Sequence, residues 1–331
     1  MTASGFRLRP APERRRILAG ALGSLAALAA GPAALRALAR AHGRQAATRA
    51  GLAFGTTVSL TLVGAEGADL EPAFRAGVAA IRAVEAAASL YRPDSALARL
   101  NRDGRLADPD PLLVEQLRFA LDLAAASGGA FDPTVQPLWT LWSETAARGE
   151  RPGARALAEA VARVGWRGVE IGDGAIRLAR PGMGVTLNGL VQGFAADRVL
   201  AALAAHGIAD AFVDTGEFGA LGRHADGTPW RLGIGGPRRG GDLAAVIEPF
   251  TGFAATSGDD ATVFSEDHRD HHIFDPATGT SPQALSAVTV TAPSGLLADA
   301  LSTAAFVLGP EKGAALVVRY AGCAVRFTAK V

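Results

Sequence analysis

Strand-like and helix-like segments do not alternate strictly along this chain, and their order is the strongest constraint on its fold. Apolar spacing of 3.6 residues predicts helices, whereas alternating or β-branched runs predict strands. The predicted helices are Glu71–Ala88, Pro111–Ala126, Ala154–Val164, Leu190–Ala205 and one that Ser294 caps and that runs to about Leu308. The predicted strands are Phe54–Val63, Val169–Ile171, Ala175–Leu178, Ala211–Val213, Trp230–Ile234, Ala244–Ile247 and Ala287–Thr291. A doubly wound sheet needs regular alternation, so we expect an α+β fold with mixed, largely antiparallel sheets and packed helices.

No repeat, low-complexity tract or long linker interrupts the chain after Gly51. A chain of 331 residues is long enough to bury a sizeable core. We therefore expect one domain over residues 46–331, after an N-terminal segment of residues 1–45.

Charge and cysteine content exclude several classes of protein. The chain has 33 basic and 32 acidic residues, for a net charge of +1. Such a balance supplies no basic field for nucleic acid, so we expect no nucleic-acid partner. Cys323 is the single cysteine. An intrachain disulfide, a thiolate zinc site and a cysteine-ligated cluster are therefore excluded.

The N-terminus has the layout of a secretion signal. The basic patch Arg14–Arg16 precedes Ile17, Leu18 and an apolar stretch rich in Ala, Leu and Gly that ends near Leu35. Paired arginines ahead of a weakly apolar stretch resemble a twin-arginine export signal, which predicts a periplasmic protein. The alternative is a retained membrane anchor, because about 19 uncharged residues are just enough to cross a bilayer. Abundant Ala and Gly, with Pro32 inside the stretch, favour the signal.

The segment Gly128–Val135 places a glycine turn, the Phe131 ring and the Asp132 carboxylate within a few residues. These are the components of a ligand-binding turn. The alternative is a helix C-cap followed by an Asp-Pro turn.

The segment Thr186–Phe194 leads from an extended stretch into a helix. Unpaired amides at a helix start attract phosphate oxygens, and Gly189 lets the backbone approach a ligand closely. The alternative is that Asn188 serves only as an N-cap.

Three histidines lie in the segment His268–Gly279, namely His268, His271 and His272. Zinc binding is one interpretation, but two of the histidines are adjacent and no carboxylate has the spacing to complete a ligand set. A single histidine acting as a general base on a hydroxyl is the simpler functional interpretation.

Asp299 and Thr303 are four residues apart in the last predicted helix and therefore share one face. A buried carboxylate needs hydrogen-bond donors or a cation, and an oxygen pair of this kind suits Mg²⁺. The alternative is a helix-interior Asp bonded only to neighbouring backbone.

These segments together resemble the ApbE family of FAD:protein FMN transferases. The resemblance runs from about Gly51 to the C-terminus and also includes Tyr91–Ser95, Leu100-Asn101 and Thr256–Asp259. It implies that Ala130, Phe131 and Asp132 contact the flavin nucleotide, that Gln192 lies against FAD and that Tyr91 lines the flavin site. It also implies that the Gly189 carbonyl, Asp299 and Thr303 hold Mg²⁺, with His272 as the catalytic base.

The chain departs from the usual family pattern at three positions. The family usually has an acidic residue at the position of Thr186, Lys or Glu at that of Gln192 and Met at that of Phe54. The Asn188–Gly193 variant, together with Asp214–Glu217, is similar to the NosX-like branch, whose members assist nitrous oxide reductase maturation.

The resemblance implies transfer of FMN from FAD to a Thr or Ser hydroxyl of a target flavoprotein, with release of AMP. The expected partner is a membrane-attached flavoprotein exposed to the periplasm. Two alternatives remain at this stage: an FAD-binding accessory protein that transfers nothing, and a Mg²⁺-dependent FAD pyrophosphatase that uses water in place of the hydroxyl.

Overall fold

A seven-stranded antiparallel sheet forms the centre of the molecule. The computed structural model describes residues 43–236 and 243–330. Along the sheet the strand order is β1-β2-β6-β7-β10-β11-β12. Its strands are β1 Arg44–Ala53, β2 Thr56–Ala65, β6 Asp210–Asp214, β7 Phe218–Leu221, β10 Gly252–Gly258, β11 Leu285–Ala292 and β12 Ala324–Ala329. Every neighbouring pair is antiparallel, which confirms the predicted α+β class.

Two smaller sheets complete the strand inventory of the described residues. One has the order β3-β5-β4, and the other is the β8–β9 hairpin. Their strands are β3 Arg105–Ala107, β4 Val169–Gly172, β5 Ala175–Leu178, β8 Trp230–Gly235 and β9 Leu243–Phe250.

The helices lie mainly on one face of the large sheet. They are α1 Glu71–Ala88, α2 Ala96–Asp103, α3 Pro111–Ala126, α4 Gln136–Ala146, α5 Ala154–Val161, α6 Val191–Ala205 and α7 Gly295–Val317. Helix α6 packs on β6 and β7, α7 packs on β10 and β11, and α1 covers α6. This arrangement buries the apolar face of α1 and nearly the whole circumference of the first turns of α7, which carries the polar residues of interest into the interior.

The opposite face of the large sheet is covered by aromatic side chains. Phe212, Phe218, Trp230 and Phe250 cluster there with ring centroids 5.5–6.0 Å apart. The β8–β9 hairpin contributes two of them. The hairpin therefore covers this face of the large sheet and forms a second, smaller hydrophobic core with it.

Several predicted boundaries are confirmed, whereas those at Val164 and Phe54 are wrong. Helix α5 ends at Val161. Helices α1 and α3 have their predicted bounds, and Gly309 interrupts α7 with a φ of 77°, next to the predicted end near Leu308. Phe54 is not the first residue of a strand. It has a φ of 53° and forms, with Gly55, the tight turn between β1 and β2.

The predicted signal segment falls almost wholly outside the described residues, as does the membrane-anchor alternative. Strand β1 begins at Arg44, just before the predicted domain boundary at residue 46. Within residues 43–236 and 243–330, no helix combines the length and apolar character needed to cross a bilayer.

Candidate functional site

Asp299 lies in the interior of the fold with one hydrogen-bond donor from another helix. Its side chain is 4% exposed, and its Oδ2 accepts from the Gly193 N–H of α6 at 3.0 Å. Bonding only to neighbouring backbone is therefore the wrong interpretation of this residue. Burial raises the pKa of Asp299 to about 7, opposed only by the Gly193 N–H. The carboxylate is thus under-compensated in the protein alone.

Helices α6 and α7 touch backbone to backbone beside Asp299. A Cβ placed on Gly193 would lie 2.1 Å from the Gly295 carbonyl oxygen, so only glycine fits this crossing. Asp197 of α6 accepts from Gly295 N–H at 2.7 Å, from Leu296 N–H at 2.8 Å and from the Ser294 hydroxyl at 3.0 Å. Asp197 therefore caps the start of α7 and sets the position of the turn that carries Asp299.

Replacing Asp197 with alanine is expected to destabilise the protein by about 2–3 kcal/mol, because two backbone donors and one hydroxyl lose a charged acceptor. Urea unfolding measures the change. Asp110→Ala is the matched control, because Asp110 caps α3 from an exposed position through one bond of 2.8 Å. It should cost about 1 kcal/mol or less. Equal losses of unfolding free energy in the two variants would contradict the role of Asp197 as the cap of α7.

Thr303 lies one turn after Asp299 and belongs to a group of three hydroxyls. Its Oγ1 is 3.0 Å from the Ser257 Oγ of β10, which is in turn 2.8 Å from the Ser302 Oγ. A Cβ placed on Gly189 would lie 2.9 Å from Thr303 Oγ1, so the Gly189 backbone lies directly against this hydroxyl. The structure thereby brings Gly189, Asp299 and Thr303 together.

Two further carboxylates lie where β6 passes into β7: Asp214 is the last residue of β6, and Glu217 is in the turn that follows. Glu217 accepts from the Thr256 N–H at 3.0 Å and Asp214 from the Gly216 N–H at 2.9 Å. Burial, and next the negative charge of Asp299, raise the pKa of Glu217 well above its ordinary value. Burial also raises the pKa of Asp214. Three acidic side chains thus gather here with their charged forms disfavoured, and a cation nearby would stabilise those charged forms.

The donors around Asp299 suit a small hard cation. They are a carboxylate, the Thr303 hydroxyl and the backbone at Gly189, all of which offer oxygen. The described residues contain no group of three or more His, Cys, Asp or Glu side chains placed to hold a metal ion. The fit therefore depends on one carboxylate with neutral oxygens, the kind of set in which Mg²⁺ retains water and substrate oxygens.

Gln192 faces the β6–β7 turn from the first turn of α6. Its Nε2 would lie 1.9 Å from a Cβ on Gly216, whose φ of 96° also favours glycine. The Thr215 hydroxyl donates to the Gln192 carbonyl at 2.8 Å. Asn188 is not the N-cap of α6, because Leu190 precedes the helix and caps it with no side-chain bond. The prediction of free amides at this helix start is wrong for two of them: the Val191 N–H donates to the Leu187 carbonyl at 2.8 Å, and the Gly193 N–H donates to Asp299.

The Gly128–Val135 segment forms the predicted glycine-terminated helix end and Asp-Pro turn. Asp132 Oδ1 accepts from the Thr134 N–H at 2.8 Å, and Oδ2 from the Trp166 N–H at 3.0 Å. Burial raises the pKa of Asp132. A bond of 2.7 Å from the Thr186 N–H to the Pro133 carbonyl joins this segment to the stretch that leads to Gly189.

The two side chains before Asp132 differ in burial. Phe131 is 5% exposed, and Ala130 is half-buried. Contact of Ala130, Phe131 and Asp132 with a nucleotide stays a prediction.

His271 is a core residue. Its Nδ1 accepts from the Ile273 N–H at 3.4 Å, its Nε2 donates to the Pro282 carbonyl at 3.2 Å, and its ring meets the edge of Phe306 at 5.5 Å. Burial lowers the pKa of His271 to about 4. Because Phe306 is one turn beyond Thr303 on α7, this contact brings the histidine segment close to the oxygen site, which is the group formed by Gly189, Asp299 and Thr303.

One ring nitrogen of His272 is hydrogen-bonded to the backbone. Its Nδ1 is 3.2 Å from the Thr262 carbonyl, which can only accept, so Nδ1 carries the hydrogen of the neutral ring. The lone pair is then on Nε2. Burial lowers the pKa of His272, outweighing the Thr262 carbonyl and the charges of Asp260 and Asp259, so the ring is neutral at pH 7.

Tyr91 lies at the surface and is 64% exposed, with its ring beside Gly55. The connection between this region and the site is made by Asn101. Its side chain donates to the Val185 carbonyl at 2.8 Å and accepts from the Val185 N–H at 2.7 Å. Asn101 thus holds the stretch before Thr186, whereas the role of Tyr91 at a flavin stays a prediction.

Five residues of the site had no assigned role in the sequence: Asp197, Asp214, Glu217, Ser257 and Ser302. Asp197 carried one signal, because a carboxylate in the apolar interior of the predicted helix Leu190–Ala205 requires a partner. The contact between the Ser257 and Ser302 hydroxyls has no such signal in the sequence, since these residues lie 45 positions apart and meet only through packing.

The chain matches known proteins over most of its length. A family model described as the ApbE family matches residues 54–327. A protein of Treponema pallidum named FAD:protein FMN transferase is 35% identical over 258 residues, covering 71% of this chain and 70% of the relative. Its namesake in Klebsiella pneumoniae is 34% identical over 295 residues, with 85% and 83% covered. The apo structure of the Pseudomonas stutzeri flavinyl transferase ApbE superposes with a TM-score of 0.75 at 34% identity, covering 87% of this chain and 92% of that chain.

Proposed function

The chain belongs to the ApbE family, and from this premise we propose that it is an FAD:protein FMN transferase. It moves FMN from FAD to a Thr or Ser hydroxyl of a target flavoprotein, with release of AMP. One observation carries the proposal beyond the names of the relatives. The oxygen site of Asp299, Thr303 and Gly189 lies against the same helix as the segment that holds a neutral His272.

Asp299, Thr303 and the Gly189 carbonyl would hold Mg²⁺, for which their oxygens are suitable ligands. When bound, Mg²⁺ supplies positive charge that neutralises the pyrophosphate oxygens of FAD. The Gly193 N–H orients the Asp299 carboxylate, and the Asp197 cap holds the helix turn from which Asp299 and Thr303 project.

His272 acts on the acceptor hydroxyl. The hydroxyl oxygen forms a bond to the FMN-side phosphorus of FAD while the bond from that phosphorus to the bridging oxygen breaks. The proton passes from the hydroxyl to His272 Nε2, and AMP leaves with the bridging oxygen. The neutral ring and the Nδ1 hydrogen bond to Thr262 support this role.

The flavin nucleotide is proposed to lie against Ala130, Phe131, Asp132, Gln192 and Tyr91. The bond between Thr186 and Pro133 supports the proposal for the first three, because it joins their segment to the Gly189 stretch. Gln192 is supported by its position over the β6–β7 turn beside the carboxylates.

Incubating the purified protein with FAD, Mg²⁺ and a purified candidate acceptor tests the reaction. The expected result is a fluorescent acceptor band on a denaturing gel, with AMP in equal amount. AMP without a labelled acceptor would instead indicate a pyrophosphatase. Bound FAD with neither product would indicate an accessory protein that does not transfer flavin.

We also propose that the protein is exported to the periplasm by a twin-arginine signal, where it meets a membrane-attached acceptor. Replacing Arg14 and Arg15 with Lys should trap the precursor in the cytoplasm. Cell fractionation and the size of the protein on a blot measure the outcome. The control replaces Arg7 and Arg9, outside the pair, and should leave export unchanged. Undiminished periplasmic yield from the Arg14/Arg15 variant would exclude this route.

A further inference from the structure

We propose that Ser257 is a positioning residue. Its hydroxyl oxygen accepts a hydrogen bond from the Thr303 hydroxyl, which turns the lone pairs of the Thr303 oxygen toward the cation. Ser257 belongs to β10, and its described side-chain hydrogen bonds go to Ser302 and Thr303, not to the carboxylates of the site. The inference deepens the proposed function and rests on it, since it concerns the same Mg²⁺ site.

The direction of the hydroxyl network follows from counting hydrogens. Ser302 contacts the Asp299 carbonyl at 2.8 Å, and a carbonyl can only accept, so Ser302 donates there. In the 2.8 Å contact between Ser302 and Ser257, Ser257 must therefore be the donor and Ser302 the acceptor. In the 3.0 Å contact between Ser257 and Thr303, Thr303 must then be the donor and Ser257 the acceptor. Three hydroxyls supply three hydrogens, and this is the one assignment that satisfies all three contacts.

Strand β10 gives the Ser257 hydroxyl a fixed position. Ser257 pairs with Val288 of β11, which is fully buried in the large sheet. Ser302 is also fully buried. The network therefore joins a rigid strand to the helix turn that carries Thr303, and the Thr303 hydroxyl cannot rotate without breaking it.

This orientation matters for a metal ligand. A hydroxyl oxygen that binds a cation must direct its hydrogen elsewhere, and partners that accept or donate such hydrogens orient the ligand. Without Ser257, the Thr303 hydrogen is free to turn toward Asp299 on the preceding turn. It would then compete with the cation for the carboxylate.

Mn²⁺ titration of the FAD-free protein, followed by electron paramagnetic resonance, tests the inference without any catalytic readout. Ser257→Ala should weaken Mn²⁺ binding about tenfold, the lower range for losing an outer partner of a ligand. Ser257→Thr keeps the hydroxyl and should bind nearly as the parent does. Ser257→Cys, a weaker acceptor of similar shape, should fall between them and serves if the alanine variant folds poorly.

A double-mutant cycle separates positioning from general damage. Thr303→Val should itself weaken Mn²⁺ binding, and adding Ser257→Ala to it should cause no further loss. Ser286→Ala is the matched control, because Ser286 lies on the paired strand β11 and bonds the Ala329 carbonyl at 3.2 Å, away from Thr303. It should leave Mn²⁺ affinity unchanged.

The outcomes distinguish this inference from the proposed function. If Asp299→Asn leaves Mn²⁺ affinity intact, the metal site itself is wrong. If Asp299→Asn weakens binding but Ser257→Ala does not, or if the Ser257 and Thr303 losses add fully, the metal site survives and the positioning role of Ser257 is overturned.

Discussion

Replacing His272 with alanine is expected to slow flavin transfer by about 10²- to 10⁴-fold, the range that a positioned general base contributes. FAD binding should persist, because the variant removes a proton acceptor and leaves the oxygen site around Asp299 in place. Single-turnover labelling of an acceptor measures the first effect, and flavin fluorescence quenching measures the second. Labelling at the parental rate would exclude His272 as the base.

The pH dependence has a defined sign. Burial lowers the pKa of His272, so the neutral base persists below the ordinary histidine pKa of 6.5. The transfer rate should therefore fall on the acid side with an apparent pKa below 6.5. His206→Ala is the control, because His206 is exposed at the end of α6 and its side chain bonds the Ala202 carbonyl of the same helix. It should retain both the rate and the pH profile.

Replacing Asp299 with asparagine is expected to weaken Mg²⁺ and Mn²⁺ binding by more than the roughly 10- to 100-fold loss that follows removal of an outer partner. Asparagine keeps the size of the side chain and an oxygen for the Gly193 N–H, but it has no charge. AMP release should fall with metal affinity, and excess Mg²⁺ should partly restore it. Early melting with an unchanged metal response would make Asp299 a structural residue.

Asp270→Asn is the matched control for Asp299→Asn. Both carboxylates are 4% exposed, but Asp270 is paired with Arg151 at 2.6 Å. The control should leave Mn²⁺ affinity unchanged.

Metal-free stability supplies a second test of Asp299. Its pKa is raised from 3.8 to about 7, so between these pH values the folded protein holds a proton that the unfolded chain has released. The free energy of unfolding should therefore fall as pH rises through this range, and Asp299→Asn should make that fall smaller, while the other buried carboxyl groups with raised pKa values still contribute to it.

Local patterns were sufficient for the long helices. Glu71–Ala88 and Pro111–Ala126 were predicted to the residue, because each has apolar spacing along its length and proline in its first turn. Strands β1, β3, β7, β10 and β12 were missed. Gly219 and Gly252 weaken the strand pattern of β7 and β10, and the exposed edge strand β1 has almost no buried face to reveal it.

The sequence predicted which residue types form the candidate site, but not which residues they contact. Asp299 and Thr303 were predicted to share a helix face because four residues make one turn. Their partners were not predictable in the same way. Gly193 and Ser257 lie 106 and 46 residues from the side chains that they contact.

The sequence by itself determined the α+β class, the long helices, the pairing of Asp299 with Thr303 and the family resemblance, because these depend on local spacing and on residue type. Only the tertiary structure decided that Gly193 and Gly295 let two helices touch, and that Asp197 caps α7. It also decided that His271 packs in the core while His272 keeps Nε2 available. The physical reason is that hydrogen bonds and burial act between neighbours in space, and residues far apart in the chain become neighbours only when the sheet and helices pack.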